Sequence, residues 1–279
     1  MLKTMIMTSL MVLALLAAGP VLTQEATTDR VTVELTDPAK PVFLEVGLVN
    51  GGITVTGYDG KEVVVEAITH MKKIEPAASG SGKGAGMTKI SVNSSSLTVE
   101  EFENKIEIGT NSWATPIDLV IKVPRQTSME LSCVNSGDIL VENITGEVEA
   151  SNVNGSVTCL GIDGSVVAGA HNGEVRVTFT RVDPEKDMSF SSFNSDVDVT
   201  FPAAIKAKIK LKTTRGDIFT DFEVVEIDNP DRLISKNERE AGGKYKVSID
   251  RAYWGTINGG GQEFQFSNFN GDIYIRKQK

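Results

Sequence analysis

Histidine is nearly missing from this chain, and its scarcity removes much catalytic chemistry. The 279 residues hold two, His70 and His171. Neither stands in a metal-ligating spacing such as His-Glu-x-x-His, and no nucleophile elbow offers either a serine partner. Cysteine is as scarce, with Cys133 and Cys159 alone. An oxidising compartment would allow a disulfide between them. Their different phases in the repeat described below favour two small buried side chains instead. Cations are short too: 28 Lys and Arg face 37 Asp and Glu, a formal charge of −9. A surface of that sign repels phosphate backbones and anionic lipid heads, which argues against nucleic acid as a partner. Aromatics number only 11 Phe, 4 Tyr and 2 Trp against 26 Gly, a balance that points to many turns around an aliphatic core.

Long apolar runs are confined to the N-terminus, "MLKTMIMTSLMVLALLAAGPVLTQEATTDR". A lone Lys3 precedes an apolar stretch from Met5 to Ala18, then Gly19-Pro20 breaks any helix. That layout predicts a secretory signal peptide over residues 1–23, and the run is short for a membrane span. The expectation is a mature chain of residues 24–279, periplasmic, cell-surface or secreted, with no membrane span.

What the sequence has is a repeat. Gly137, Gly146, Gly155, Gly164 and Gly173 follow one another at intervals of nine, and Gly51, Ser195, Gly216 and Gly271 stand in matching surroundings. Two residues after each comes Ile53, Ile139, Val148, Val157, Val166, Val175, Val197, Ile218 or Ile273, β-branched every time. Turn formers such as Asn154, Asp163 and Asn172 precede the glycines and admit positive φ. The residues that follow alternate outward and inward, the period of a strand with one buried face.

Strands this short, joined by such short turns, leave no room for helices, so the fold class is all-β. Turns of two alternating kinds imply a rung of about 18 residues built from two units, growing to 21 or 22 after Gly173. A parallel β-solenoid fits, with like side chains stacked rung on rung; an antiparallel meander or β-sandwich is the alternative. One solenoid domain spans 24–279, interrupted by a small, polar loop at 75–87 and an insertion at 226–244.

In "LEVGLVNGGITVTGYDGKEVVVEA", in "IDLVIKVPRQTSMELSCVNSGDILVENITGEVEASNVNGSV" and in the closing "FSNFNGDIYIRK", the chain resembles the bacterial putative-adhesin family with β-strand repeats. The resemblance covers roughly residues 31–279. It implies a β-helix-like stack in the cell envelope or outside the cell, and transfers no catalytic residue and no cofactor.

Other candidate sites are thin. Carboxylates recur beside the turns at Asp138, Glu147, Glu174, Asp196, Asp217 and Asp272, where a polysaccharide-processing enzyme could gather acid and base. Their recurrence with the repeat favours solvated outward positions. Arg215-Gly216-Asp217 occupies the ordinary repeat register. "GSGKGAG" around Lys83 lacks the Lys-Ser/Thr and the helix of a phosphate loop. Trp113, Tyr253 and Trp254 lie in turn-rich stretches and are candidate binding aromatics, or caps of the core. The reading is an exported, non-catalytic binding or scaffold module for an envelope or extracellular protein or glycan, without cofactor or metal.

Overall fold

The computed structural model describes residues 26–70, 97–110, 115–135, 137–228, 233–237, 245–249 and 252–279. Outside them lie the expected signal peptide 1–23, the loop 75–87, Trp113, and residues 229–232 and 238–244 of the expected insertion. Among the described residues every regular element is a strand. Twenty join in one mixed sheet, and Leu233–Asn237 pairs separately with Tyr245–Ile249. No helix there is long and apolar enough to cross a membrane.

Two parallel faces make the body. The front face runs, in spatial order, through Ile117–Pro124, Ile53–Tyr58, Ile139–Glu142, the first half of Val157–Ala170, Val175–Val182, Val197–Phe201, Ile273–Lys277 and Ile218–Thr220. The back face runs through Lys105–Thr110, Val42–Asn50, Thr127–Asn135, Thr145–Asn152, the second half of Val157–Ala170, Met188–Ser192, Gln262–Asn270 and Ala207–Arg215. Between Thr127 and Thr220 these pairings are parallel, so consecutive segments cross from face to face. They do not turn back as the hairpins of a meander.

The nine-residue spacing resolves into two corners. Gly146 and Gly164 are partners at one, while Gly137, Gly155 and Gly173 stack at the other. Turn formers were expected to serve positive φ, yet Gly155 and Gly173 have no left-handed backbone. What demands glycine there is close approach. A Cβ on Gly155 would stand 2.0 Å from the Gly137 carbonyl oxygen, and one on Gly173 would stand 2.1 Å from that of Gly155.

Inward residues form ladders. Ile53, Ile139, Val157, Val175, Val197 and Ile273 are buried on the front face, Val148 and Val166 on the back. Each such side chain contributes about 1.5–3 kcal/mol of burial. Ile218 is only half-buried, because its strand pairs on one side alone, with Ile273–Lys277. The core is not aliphatic throughout. In the C-terminal rungs Phe179, Phe190, Phe201, Phe264 and Phe266 fill it with stacked and edge-on rings from both faces.

Chain order is not stack order. The spacing from Ser195 to Gly216 suggested successive rungs, but residues 262–277 lie between the rung at 188–201 and that at 207–220. Residues 42–58 likewise lie between 105–124 and 127–142. Every rung carries the same alternation and the same corners, so any of them fits between any two others. Antiparallel strands close both ends. Glu62–His70 lies against Ile117–Pro124 and Ala26–Glu34, and Tyr253–Ile257 against Ala207–Arg215 and Val224–Glu226.

Candidate interaction surface

Carboxylates beside the front-face turns are spent on holding the rungs together. Asp138 accepts the Ser156 backbone N–H at 2.7 Å, Asp196 that of Asp272 at 2.8 Å, and Asp272 that of Asp217 at 2.8 Å. Asp118 does the same for Gly52 at 2.7 Å. Glu174 is held by Arg176 at 2.8 Å, and Glu147, at the other corner, pairs with Lys186 at 2.7 Å. Among the described residues, no three His, Cys, Asp or Glu side chains gather as metal ligands would.

The remaining candidates are equally occupied. Cys133 and Cys159 are free thiols, both buried, one on each face. The Cys133 Sγ–H donates to the Gly51 carbonyl at 2.9 Å, and burial pushes the Cys159 thiol up to about 12. Gly216 packs on Gly271, and the Arg215 guanidinium covers the Phe269 ring at 5.5 Å. Tyr253 is exposed, but Trp254 does not serve as a surface aromatic. It is buried, with the Lys208 and Lys210 ammonium groups over its ring at 4.3 and 5.0 Å.

One device was not foreseen from sequence. The asparagines ahead of the corner glycines bond laterally. Asn154 donates to Asn135 Oδ1 at 2.7 Å, Asn172 to Asn154 at 2.8 Å, Asn194 to Asn172 at 2.7 Å and Asn270 to Asn194 at 3.0 Å. Arg215 ends the ladder on Asn270 at 3.4 Å.

Beside that ladder the back face is organised in outward columns. One is small: Ser132, Ser151, Gly169, Ser191 and Ser267 in register. It floors a cleft of about 570 Å³ walled by His171, Phe193 and Phe269. This wall continues an apolar column in which Val49, Val134, Val153 and Phe193 are each 40–42% exposed. The rings of His171 and Phe193 stack at 4.7 Å, and those of Phe193 and Phe269 at 4.6 Å. Ring faces therefore cover one another, and the edges point outward. Across the small column stand Glu107, Glu45, Glu130 and Glu149 on neighbouring strands, followed further along by Gln265 and Lys210.

The family model of the Toastrack DUF4097 domain matches residues 118–252. Over that stretch, just under half of its length, this chain is similar to a Toastrack domain. The matched stretch omits the rungs at 42–58 and 262–277, yet both pair with strands of that stretch on both faces. Among solved structures, the chain is similar to a putative cell adhesion protein from Clostridium sporogenes. The two are 12% identical, with 91% of this chain and 100% of that one covered and a TM-score of 0.47. A putative adhesin from Bacteroides fragilis is 8% identical, with 92% and 98% covered and a TM-score of 0.26. No curated protein matches.

Proposed function

We propose that this Toastrack-like chain is an exported, non-catalytic β-solenoid that acts as a binding or scaffold module in the cell envelope or outside the cell, engaging a protein through its back face. The observation that carries this reading is the column Val49, Val134, Val153, Phe193 and Phe269, an apolar strip left in solvent along the sheet. Monomeric proteins seldom leave such strips uncovered unless a partner uses them. A glycan suits the strip less well. Sugars stack on open ring faces, and here the His171, Phe193 and Phe269 faces cover one another or lie under Arg215. A polysaccharide-processing site would need carboxylates with free oxygens aimed at a common point. Asp138, Asp196 and Asp272 instead brace the next rung. Export rests on the layout of residues 1–23.

The test compares the unaltered chain with a variant carrying Val153→Ser and Phe193→Ser, both shown by circular dichroism to be folded. The variant is expected to lose capture of envelope proteins about tenfold or more, as loss of interface anchors does. A glycan array should stay blank for both. Equal capture by both chains would refute the back face as the site. Polysaccharide cleavage abolished by Asp196→Asn would favour the enzyme.

A further inference from the structure

We propose that the free edge of strand Ala26–Glu34 pairs antiparallel with the same strand of a second copy, in the register that sets Thr32 opposite Thr32. The site is one end of the front sheet, apart from the back face and whatever binds there.

That edge is long and unguarded. Ala26–Glu34 pairs with Glu62–His70 on one side in an unbroken register and, among the described strands, with none on the other. A row of backbone N–H and C=O groups left open in this way is a template for another strand. Proteins usually blunt it with proline, a bulge, charge or a short strand. Residues 26–34 contain no proline, glycine or bulge. The other open edges are better guarded. Ile218–Thr220 and Val224–Glu226 are three residues each, and Leu97–Phe102 carries Glu100 and Glu101.

Side chains on both sides of the strand fix the register and the partner. On the inner side Val31 and Val33 lie beside the fully buried Val65 and Val63, yet Val31 is 41% exposed. On the outer side Arg30 pairs with Glu66 at 3.4 Å. Glu34 lies beside Glu62 there, and among the described residues neither of these two has a cation.

A twofold axis normal to the sheet, through the Thr32 pair, lays Arg30 opposite Glu34 twice over and Val31 opposite Val33 twice over. Glu34 then gains a guanidinium, and the inner row runs Val65, Val31, Val33, Val63 across the junction; opposite charges and β-branched pairs are the favoured cross-strand neighbours. Neighbouring registers lose this match. Centring on Val31 sets the Asp29 carboxylate against Val33 on the inner side. Centring on Arg30 or Asp29 sets that charge on its own copy. The contact is isologous, so it consumes the open edge and closes at two copies. The same axis leaves both back faces on one side of the pair, where a repeating partner would meet two strips at once.

The experiment is sedimentation equilibrium on the exported chain up to about 0.2 mM, a concentration that fills a contact of micromolar Kd. The unaltered chain is expected to dimerise. R30E and E34R, each shown to be folded by its thermal melt, should each bind themselves about tenfold or more weakly, because both cross-strand pairs become like-charged. Their equimolar mixture should recover a mixed dimer, because the two reversals then face each other. A second measurement does not depend on charge. T32C should oxidise to a covalent dimer, since both copies of position 32 meet at the axis, whereas T28C should not, its two positions lying about 27 Å apart. A monomeric unaltered chain overturns the proposal. So does a dimer indifferent to both reversals, a mixture that stays monomeric, or T28C linking as readily as T32C. Capture through Val153 and Phe193 is read separately, and stands or falls without the dimer.

Discussion

Asn172 donates its side-chain amide to Asn154 Oδ1 at 2.8 Å, a partner 18 residues away in sequence and one rung away in space. Asn194 in turn donates to Asn172 Oδ1. Replacing Asn172 with Ala should remove both bonds and lower stability by about 1–2 kcal/mol, given that the site is exposed. Urea denaturation of the two chains measures the difference. No change would mean that the ladder follows the fold without supporting it.

Gly155 and Gly109 offer a matched pair. A Cβ on Gly155 collides with the backbone of the rung beside it, whereas nothing lies within 4 Å of one on Gly109. Gly155→Ala should cost about 2 kcal/mol or more through backbone displacement, and Gly109→Ala should be neutral or slightly stabilising. Thermal melts decide it. Equal effects would contradict the close stacking of the corners.

The corners were legible in the sequence and the order of the rungs was not. Gly137 to Gly173 announce themselves by spacing, and Val157 and Val175 by alternation, because turn geometry and the period of a strand are local properties. Asn154 and Asn172 were legible only as turn formers. Their lateral bonds depend on which rung lies alongside, and nothing local encodes that. The same limit hid the insertion of residues 262–277, and with it the continuity of Phe193 with Phe269. Trp254 lay in a turn-rich stretch that said nothing of Lys208 and Lys210 covering it. Composition suggested aliphatics, yet the few phenylalanines are concentrated in one half of the core.

Val157 and Val167 test the two sides of one strand. Val157 is fully buried and Val167 is 43% exposed. Val157→Asp should destabilise by several kcal/mol or abolish folding, because the charge would have no partner. Val167→Asp should shift stability by about 0.5 kcal/mol at most. Soluble yield and melting temperature report both. Comparable behaviour would overturn the inward and outward assignment.

Both thiols should be silent in the folded chain. Burial raises Cys133 and holds Cys159 protonated up to about 12, so thiolate, the reactive species, is scarce at pH 8. A thiol reagent should label neither at that pH until denaturant is added, and then both. The sign of the pH effect follows. Unfolded Cys159 ionises near its ordinary value of 9.0 while the folded thiol does not, so unfolding releases a proton. Its contribution to stability is whole below about pH 9 and declines as the pH rises toward 12. Fast labelling of the native chain would refute the burial.

Cysteine cross-linking across the front face tests the order of the rungs, on which the continuous back face depends. Asp198 and Tyr274 are partners on adjacent parallel strands, and Tyr274 separates Asp198 from Phe219. With Cys133 and Cys159 left in place, Asp198→Cys with Tyr274→Cys should oxidise readily to a disulfide, since adjacent strands lie about 4.8 Å apart. Asp198→Cys with Phe219→Cys should not, across about twice that distance. A bond between positions 198 and 219, with none between 198 and 274, would show that the rungs stack in chain order and would contradict the account.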